Sequence, residues 1–289
     1  MKQIMHGEWL MIKMNQILDK RELAPRIKEI VVYNPKIASK VRAGQFIVVR
    51  VCEEGERIPL TVADWDRDKG TLTIVFQEVG VSTYKLGKLG VGDVIKDMVG
   101  PLGNPSEISL FGTVICVGGG VGVPAIYPIA RELKGAGNKV ISIIGARSKD
   151  LLIYEEEMRK VSDELRVTTD DGSKGRKGFV SDELKDMLKS GLKVDRVVTV
   201  GPAIMMKVCA EVTRPYNIKT IASLNPIMVC GMGMCAACRV EVAGKTRFVC
   251  FEGPEFDAHQ VDFDVLLMRL NAYKAEEQMA LKKFLEGGG

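Results

Sequence analysis

The chain has 289 residues, 46% hydrophobic and 27% charged, an ordinary globular composition with length enough for two domains and a small third module. Its formal net charge is only +4, with no long single-sign block and no basic run interleaved with its two Trp and six Tyr, so no nucleic-acid partner is expected. Residues 1–16 show no apolar stretch with a small-residue cleavage site, and the uncharged run Ile108–Ala130 is interrupted by a glycine cluster and two prolines. Neither an export signal nor a membrane span is therefore expected, and the chain reads as cytoplasmic.

The first third reads as short strands. Val31–Tyr33, Phe46–Cys52, Leu60–Ala63, Thr71–Gln77 and Asp93–Val99 are rich in β-branched residues and separated by Gly, Pro or charged turns. Within Thr71–Gln77, Leu72, Ile74 and Phe76 alternate with polar residues, the period of a half-buried strand. This spacing predicts a small antiparallel β-barrel or sandwich, with Gly100-Pro101-Leu102-Gly103 as its boundary. Beyond Phe111 the signals alternate: strand Thr113–Val117, helix Pro124–Lys134, strand Lys139–Ile144, helix Leu152–Lys160, strand Leu165–Thr169, helix Ser181–Ser190, strand Val194–Val200 and helix Pro202–Val212. Such alternation predicts βα units on a parallel sheet. Residues 226–252 are rich in cysteine, and Ala272–Leu285 reads as a charged helix. The expected organisation is a β-barrel domain over 1–108, an α/β parallel-sheet nucleotide-binding domain over 109–225, a small Cys-rich module over 226–252, and a C-terminal tail and helix over 253–289.

Arg57-Ile58-Pro59-Leu60-Thr61 sits where a barrel strand begins. An Arg there can clamp a pyrophosphate and a strand-edge Thr can bond a ring, but taken alone the residues read better as a surface Arg before a β-edge Pro. Gly80-Val81-Ser82-Thr83 precedes a short helix, with hydroxyls suited to a phosphate or to a plain helix cap. Gly118-Gly119-Gly120-Val121-Gly122 follows a strand and opens a helix, and Gly120-x-Gly122-x-x-Ala125 fits the dinucleotide fingerprint. The acidic residue expected about 20 positions on is missing; the next strand ends in Gly145-Ala146-Arg147. Arg147 could face a 2′-phosphate or be a solvated loop charge. Gly201-Pro202 is a second turn from strand to helix, facing the same cleft.

Cys230, Cys235, Cys238 and Cys250 give C-x4-C-x2-C-x11-C, the spacing of plant-type [2Fe–2S] ligation. Gly231, Gly233, Ala236 and Ala237 between them are small, so a loop can wrap an inorganic core with its N–H groups aimed at sulfur, and the fourth ligand returns after a hairpin turning at Gly244-Lys245. The alternative is a four-thiolate zinc site, but those pair two short knuckles, and here the fourth Cys stands alone. Cys52, Cys116 and Cys209 lie in apolar contexts and are expected to be buried and inert. His6 and His259 are the only histidines, neither beside a nucleophile, and His259 reads as a surface or interface residue. No catalytic side chain is expected, which suits a chain whose chemistry belongs to cofactors.

In this order and combination the motifs resemble the ferredoxin-reductase superfamily, and more closely the electron-transfer subunits related to that of dihydroorotate dehydrogenase. The run Ser223–Cys235, with Gly253-Pro254-Glu255-Phe256-Asp257 and Val261-Asp262-Phe263, is similar to the small subunits of NADH-dependent reduced ferredoxin:NADP oxidoreductases; the resemblance spans about residues 13–270. It implies that Arg57, Pro59, Leu60 and Thr61 hold FAD, helped by Gly80, Ser82 and Thr83, and that Gly119, Gly120 and Gly122 face NAD(H). It also implies a heterodimer with a larger subunit carrying another flavin and [4Fe–4S] clusters, in which electron bifurcation links NADH, NADPH and ferredoxin. Some relatives have Asp where this chain has Cys230, many ferredoxin reductases have Cys where it has Val200, and Pro59 replaces their usual aromatic residue. The family assignment points to NAD against the hint of NADP from Arg147. The competing readings are an electron-transfer subunit of an NAD-dependent dihydroorotate dehydrogenase, and a zinc-stapled nucleotide-binding protein without redox activity.

Overall fold

The structure is a computed structural model describing residues 2–5 and 8–287, with side chains from residue 12 onward, so His6 lies outside the described residues. A hairpin of β1 (Lys2–Met5) and β2 (Glu8–Met11) comes first. The barrel follows: β3 (Gln16–Ala24), β4 (Ile27–Tyr33), α1 (Pro35–Ala38), β5 (Phe46–Arg50), β6 (Arg57–Asp66), β7 (Thr71–Gln77), α2 (Val81–Lys88) and β8 (Asp97–Leu102). Its strands pair antiparallel in the order β3-β4-β7-β6-β5-β8, and a Gln16–Val94 bridge joins the two ends, leaving no long open edge. Ile17, Ile30, Ile47, Leu72, Ile74 and Phe76 fill the interior. Burying each contributes roughly 1.5–3 kcal/mol.

Two expectations shift here. Gly100-Pro101 is not a stop: β8 begins later than expected and runs through it, with a register irregularity against β5 between Phe46 and Val48. Strand β3 has no counterpart in the sequence reading because register shifts at Ile17/Asp19 and Glu22/Ala24 break its alternation.

The second domain runs β9 (Thr113–Gly119), α3 (Gly122–Gly135), β10 (Lys139–Ala146), α4 (Glu155–Val161), β11 (Glu164–Thr169), β12 (Arg176–Lys177), α5 (Val180–Lys189), β13 (Arg196–Val200), α6 (Ala203–Thr213) and β14 (Lys219–Ser223). Next come β15 (Arg239–Val242), β16 (Lys245–Phe248), α7 (Val249–Glu252), β17 (Glu255–Asp257), α8 (Phe263–Leu270) and α9 (Lys274–Glu286). The large sheet has the order β12-β11-β10-β9-β13-β14-β17, parallel throughout except β17 against β14. Its strands are apolar on both faces because both are covered. On one face α3 packs Val123, Ile126, Ile129 and Leu133 against Val114, Cys116, Val140 and Ile144. On the other, Val180, Leu184, Met187 and Leu188 of α5 recur at helical spacing against Ile115, Val117, Ile141 and Ile143. The uncharged run that could have suggested a membrane span is thus β9 and α3, and no helix among the described residues is long and apolar enough to cross a membrane. Helix α4 starts at Glu155, later than expected, because Tyr154 takes a left-handed φ of 60°.

Strand order reverses at β9: the chain leaves it toward β10 and β11, then returns to add β13 and β14 on the other side. Ligands of such sheets bind at the carboxyl ends of the strands at that reversal. Gly119–Gly122 and Gly201-Pro202 both lie there.

Candidate functional site

Barrel and parallel sheet meet along a seam tied by polar contacts. The Tyr154 hydroxyl donates to Glu29 Oε2 at 2.6 Å, and Arg21 Nε donates to Glu29 Oε1 at 2.6 Å. Arg131 donates to Asp64 Oδ1 at 2.6 Å and lies over the Trp65 and Tyr127 rings at 5.0 and 5.4 Å. Above this seam opens a cleft of about 990 Å³. Its barrel wall holds Ile27, Phe46, Pro59, Leu60, Thr61, Ala63 and Val75; its sheet wall holds Gly119, Gly120, Gly122, Arg147, Gly201 and Pro202. The wall continues through Ser223–Asn225 to Met228, two residues before Cys230. This is an apolar floor flanked by strand-end turns, the form of a cofactor site.

At the sheet wall, function comes from missing side chains. A Cβ on Gly122 would sit 2.2 Å from Val200 O, so only glycine lets α3 dock against the end of β13. The α3 N-terminus carries no side-chain cap; Val123 N donates to Gly120 O at 3.1 Å and Pro124 has no N–H, so what the turn offers an anionic ligand is the N–H of Val121 and Gly122. Gly120 takes φ +54° with nothing near its Cβ position, a turn open to approach.

The remaining sequence-derived residues sit at the barrel end. Thr83 lines the cleft, but its hydroxyl accepts from Val79 N and Gly80 N at 3.0 and 3.1 Å and donates to Gly80 O at 2.9 Å, so it caps α2. Arg57, Gly80 and Ser82 lie outside the cleft wall; Ser82 Oγ donates to Glu56 Oε2 at 3.1 Å, and Arg57 is exposed at the start of β6. The cleft also takes in Asp170 and Phe179, which no motif singled out. Asp170 follows Thr168-Thr169 at the end of β11, one strand beyond the place where the fingerprint rule looks for an acid.

The four cysteines gather as two pairs. Cys238 Sγ and Cys250 Sγ lie 3.2 Å apart. Met232 N and Cys235 N donate to Cys230 Sγ at 3.5 and 3.4 Å, Gly233 N to Cys250 Sγ at 3.0 Å, and Cys250 N to Cys238 Sγ at 3.4 Å. Positive φ at Gly231, Gly233 and Ala236 curls the loop so that these N–H groups face sulfur. Burial works to raise the Cys230 thiol, yet the N–H groups of Met232 and Cys235, the Cys235 thiol and the Met234 N–H together outweigh it and bring it down to about 6. Burial, then the neighbouring Cys238 thiol, push Cys250 up. Among the described residues no three potential ligands converge on one ion position. Paired thiols, each pair able to share one iron and ringed by donors, fit a two-iron cluster better than a single tetrahedral ion. The hairpin β15–β16 turns at Ala243-Gly244 and returns Cys250 on α7.

The other cysteines and the described histidine divide. Cys116 and Cys209 are buried, and burial pushes each thiol up to about 12, as inert packing requires. Cys52 corrects the expectation: it lies half-exposed after β5, with Lys85 Nζ 3.8 Å from its sulfur. His259, expected at a surface or interface, is partly exposed, with Thr213 Oγ1 2.9 Å from its Nε2.

With this geometry established, comparison places the chain among known proteins. A family model described as the iron-sulfur cluster binding domain of dihydroorotate dehydrogenase B matches residues 225–262, and an oxidoreductase NAD-binding domain model matches 116–211. A dihydroorotate dehydrogenase B (NAD(+)) electron transfer subunit homolog of Thermotoga maritima is 47% identical, covering 96% of this chain and 97% of the relative. The electron transfer subunit of Bacillus caldolyticus is 35% identical over 85% of this chain and 96% of its own length. The chain belongs to the dihydroorotate dehydrogenase B electron-transfer subunit family. A chain from the structure of an NADH-dependent reduced ferredoxin-NADP oxidoreductase, solved for insight into flavin-based electron bifurcation, is 46% identical, with a TM-score of 0.90 over 97% of this chain and 100% of that one. The ferredoxin reductase of carbazole 1,9a-dioxygenase, at 16% identity and a TM-score of 0.61 over 70% of this chain and 65% of that one, shares the fold alone. The family member described here is an oxidoreductase subunit with an NAD-binding domain and an iron–sulfur domain, so the zinc-stapled reading falls away.

Proposed function

We propose that this chain exchanges hydride between NAD(H) and FAD and passes single electrons through a [2Fe–2S] cluster to a larger partner subunit, as part of an electron-bifurcating ferredoxin:NADP oxidoreductase. The observation that carries the reading is a continuous wall: the cleft runs from the barrel face past the strand ends to Met228, beside the cysteine loop. Arg57, Pro59, Leu60 and Thr61, with Gly80, Ser82 and Thr83, would hold FAD. Gly119, Gly120, Gly122, Arg147, Gly201 and Pro202 would hold the dinucleotide, and Cys230, Cys235, Cys238 and Cys250 the cluster. Bound there, flavin and cluster would supply the conversion of a two-electron hydride into separate electrons.

The protein's part is position and exclusion of water. Phe46, Ala63 and Val75 make a dry floor, and the uncapped start of α3 offers N–H groups to a pyrophosphate. Val229, Met232, Met234 and Phe251 are exposed on and beside the cysteine loop, an apolar rim that supports delivery of electrons to another protein. That partner would carry a second flavin and [4Fe–4S] clusters and connect the heterodimer to ferredoxin, in the cytoplasm. The barrel domain would end near residue 108, the nucleotide-binding domain near 225 and the cysteine module near 252.

The test is anaerobic purification with the native partner, followed by iron, acid-labile sulfide and flavin analysis and stopped-flow reduction by NADH. Two irons and one flavin per chain with rapid bleaching are expected; a colourless protein holding only zinc overturns the reading. A dihydroorotate dehydrogenase partner is the second reading, supported by the 35% identity with the Bacillus caldolyticus subunit. Mass spectrometry of the native complex separates the two.

A further inference from the structure

Five arginines are buried or half-buried among the described residues, and one of them lacks a counter-charge. Arg50 pairs with Asp97, Arg131 with Asp64, Arg176 with Glu183 and Asp186, and Arg196 with Glu107. Arg269, in the last turn of α8, forms no ion pair among the described residues. Its Nη2 instead donates to Ala237 O at 3.1 Å, inside the turn between Cys235 and Cys238. Taking a cation out of water without an opposite charge is costly, so a half-buried Arg marks the place of an anion.

The end of α8 does not need this side chain. Asn271 N bonds Leu267 O and Met268 O, Asn271 Nδ2 donates to Leu267 O at 2.9 Å, and Ala272 N bonds Arg269 O, so the last carbonyls of the helix are met. The helix itself is fixed against the cysteine module: Phe263 and Leu266 pack in one cluster with Cys238, Val240, Val249 and Cys250, and Asp262 caps the first turn. It thus carries a guanidinium to the cysteine turn on a rigid support. Ala237 O belongs to the peptide that joins Cys238, so standard bond lengths keep Arg269 Nη2 within about 9 Å of the Cys238 sulfur.

We infer that Arg269 is the counter-charge of the cysteine site, a positioning residue that steadies the Cys235–Cys238 turn through Ala237 O and raises the potential at which the site takes up an electron. This rests on the [2Fe–2S] reading above and deepens it. Two ferric ions, two sulfides and four thiolates sum to a charge of about −2. One electron from the flavin turns one ferric ion ferrous, breaks no bond and takes the sum to about −3. A fixed cation attracts the second state more strongly than the first. Arg239 provides the contrast: its Nη1 donates to Ala236 O at 3.2 Å in the same turn, but its side chain is exposed, where water and salt screen the charge.

The experiment is an anaerobic redox titration of the holo-protein followed by electron paramagnetic resonance, with iron and sulfide counted beforehand. Arg269→Gln should load the cluster and be reduced about ten-fold less readily at a fixed potential, a midpoint lower by about 59 mV for one electron. Arg269→Lys, which keeps the charge, should recover most of that shift. Arg239→Gln should change the same ratio by less than about two-fold. An Arg269→Gln protein that loads its cluster and stays within about two-fold of wild type overturns the inference, as does a Lys variant or an Arg239→Gln protein that shifts as far as Arg269→Gln. Should Arg269→Gln lose iron, Arg269→Lys decides: full loading near the wild-type midpoint supports the counter-charge, and loss of iron there too overturns it. A wild type without two irons and two sulfides overturns the cluster reading itself, a distinguishable result.

Discussion

The cysteine loop and the glycine turn are both tight, glycine-rich segments built to face a ligand, yet they work by opposite means. In the cysteine loop the essential atoms are present: four sulfurs, with backbone N–H groups of Met232, Gly233, Cys235 and Cys250 directed at them. In the glycine turn the essential feature is an absence, since α3 comes so near β13 that no Cβ fits at Gly122. The first site should fail when an atom is taken away, the second when one is added. The two failures should also stay separate, because Cys238 and Cys250 pack in a different apolar cluster from α3.

The largest effect expected is from Cys238→Ser. Cys238 is buried and paired with Cys250 at 3.2 Å, so the substitution should empty the cluster site of iron and sulfide. One-electron transfer to an acceptor should then fall by more than about 100-fold, beyond what loss of an outer-sphere partner costs. NADH-driven bleaching of the flavin should stay within about two-fold, since α3 and its N–H groups are untouched. Equal loss of both activities would break the comparison. Gly122→Ala is the converse. Its methyl would meet Val200 O at 2.2 Å, and because that atom is backbone the helix must move. Overpacking of this kind costs about 1–3 kcal/mol and should weaken dinucleotide binding by about ten-fold or more. Iron content is the control, and a Gly122→Ala protein that binds NAD+ normally would remove the close-approach argument.

How much could be read without a structure follows the same division. The four cysteines lie within 21 positions, so spacing alone carried their chemistry. The glycine turn is likewise continuous in sequence, and alternating apolar runs sufficed for the parallel sheet. Residues joined only by the fold were harder. Asp170 was missed because it stands 50 positions beyond Gly120 and reaches the cleft through the parallel pairing of β10 with β11. Tyr154 and Glu29 are 125 residues apart and meet only where barrel and sheet close. Cys52 looked like core because apolar residues precede it, but the chain turns there, with Gly55 N bonded back to Cys52 O at 3.0 Å. Helix α8 did leave a signal that went unused: Asp262 caps it by accepting from Val265 N at 2.9 Å, just before an apolar run.

A smaller effect should come from the seam beneath the cleft. Tyr154→Phe deletes the bond to Glu29, a carboxylate only 5% exposed that keeps Arg21 as its remaining partner. Losing one bond to a buried charged group costs about 1–3 kcal/mol, readable as a lower denaturation midpoint. Because the seam joins barrel to sheet, nucleotide affinity should drop slightly while cluster content does not change. A loss of iron instead would mean that the two regions are coupled through this contact.

The smallest effect should be found where the two regions touch. Glu255 lies on β17, the edge strand of the sheet and the strand that follows the cysteine module in the chain, and accepts a hydrogen bond from Ser106 Oγ. Burial raises its carboxyl above the ordinary 4.5, against the opposing pull of the Ser106 bond and Arg196 and with help from Glu107. A carboxyl raised on folding binds its proton more tightly in the native state. The stability it adds is therefore complete below 4.5 and is lost as the pH climbs through the native value. Glu255→Gln retains an acceptor for Ser106 and has no charge to bury. Between pH 5 and pH 8 the wild-type melting temperature should thus fall further than that of Glu255→Gln, by on the order of 2 °C. A difference between the two proteins that stays constant across this range would mean that the carboxyl is ionised in the native state throughout, with its charge compensated by Ser106 and Arg196.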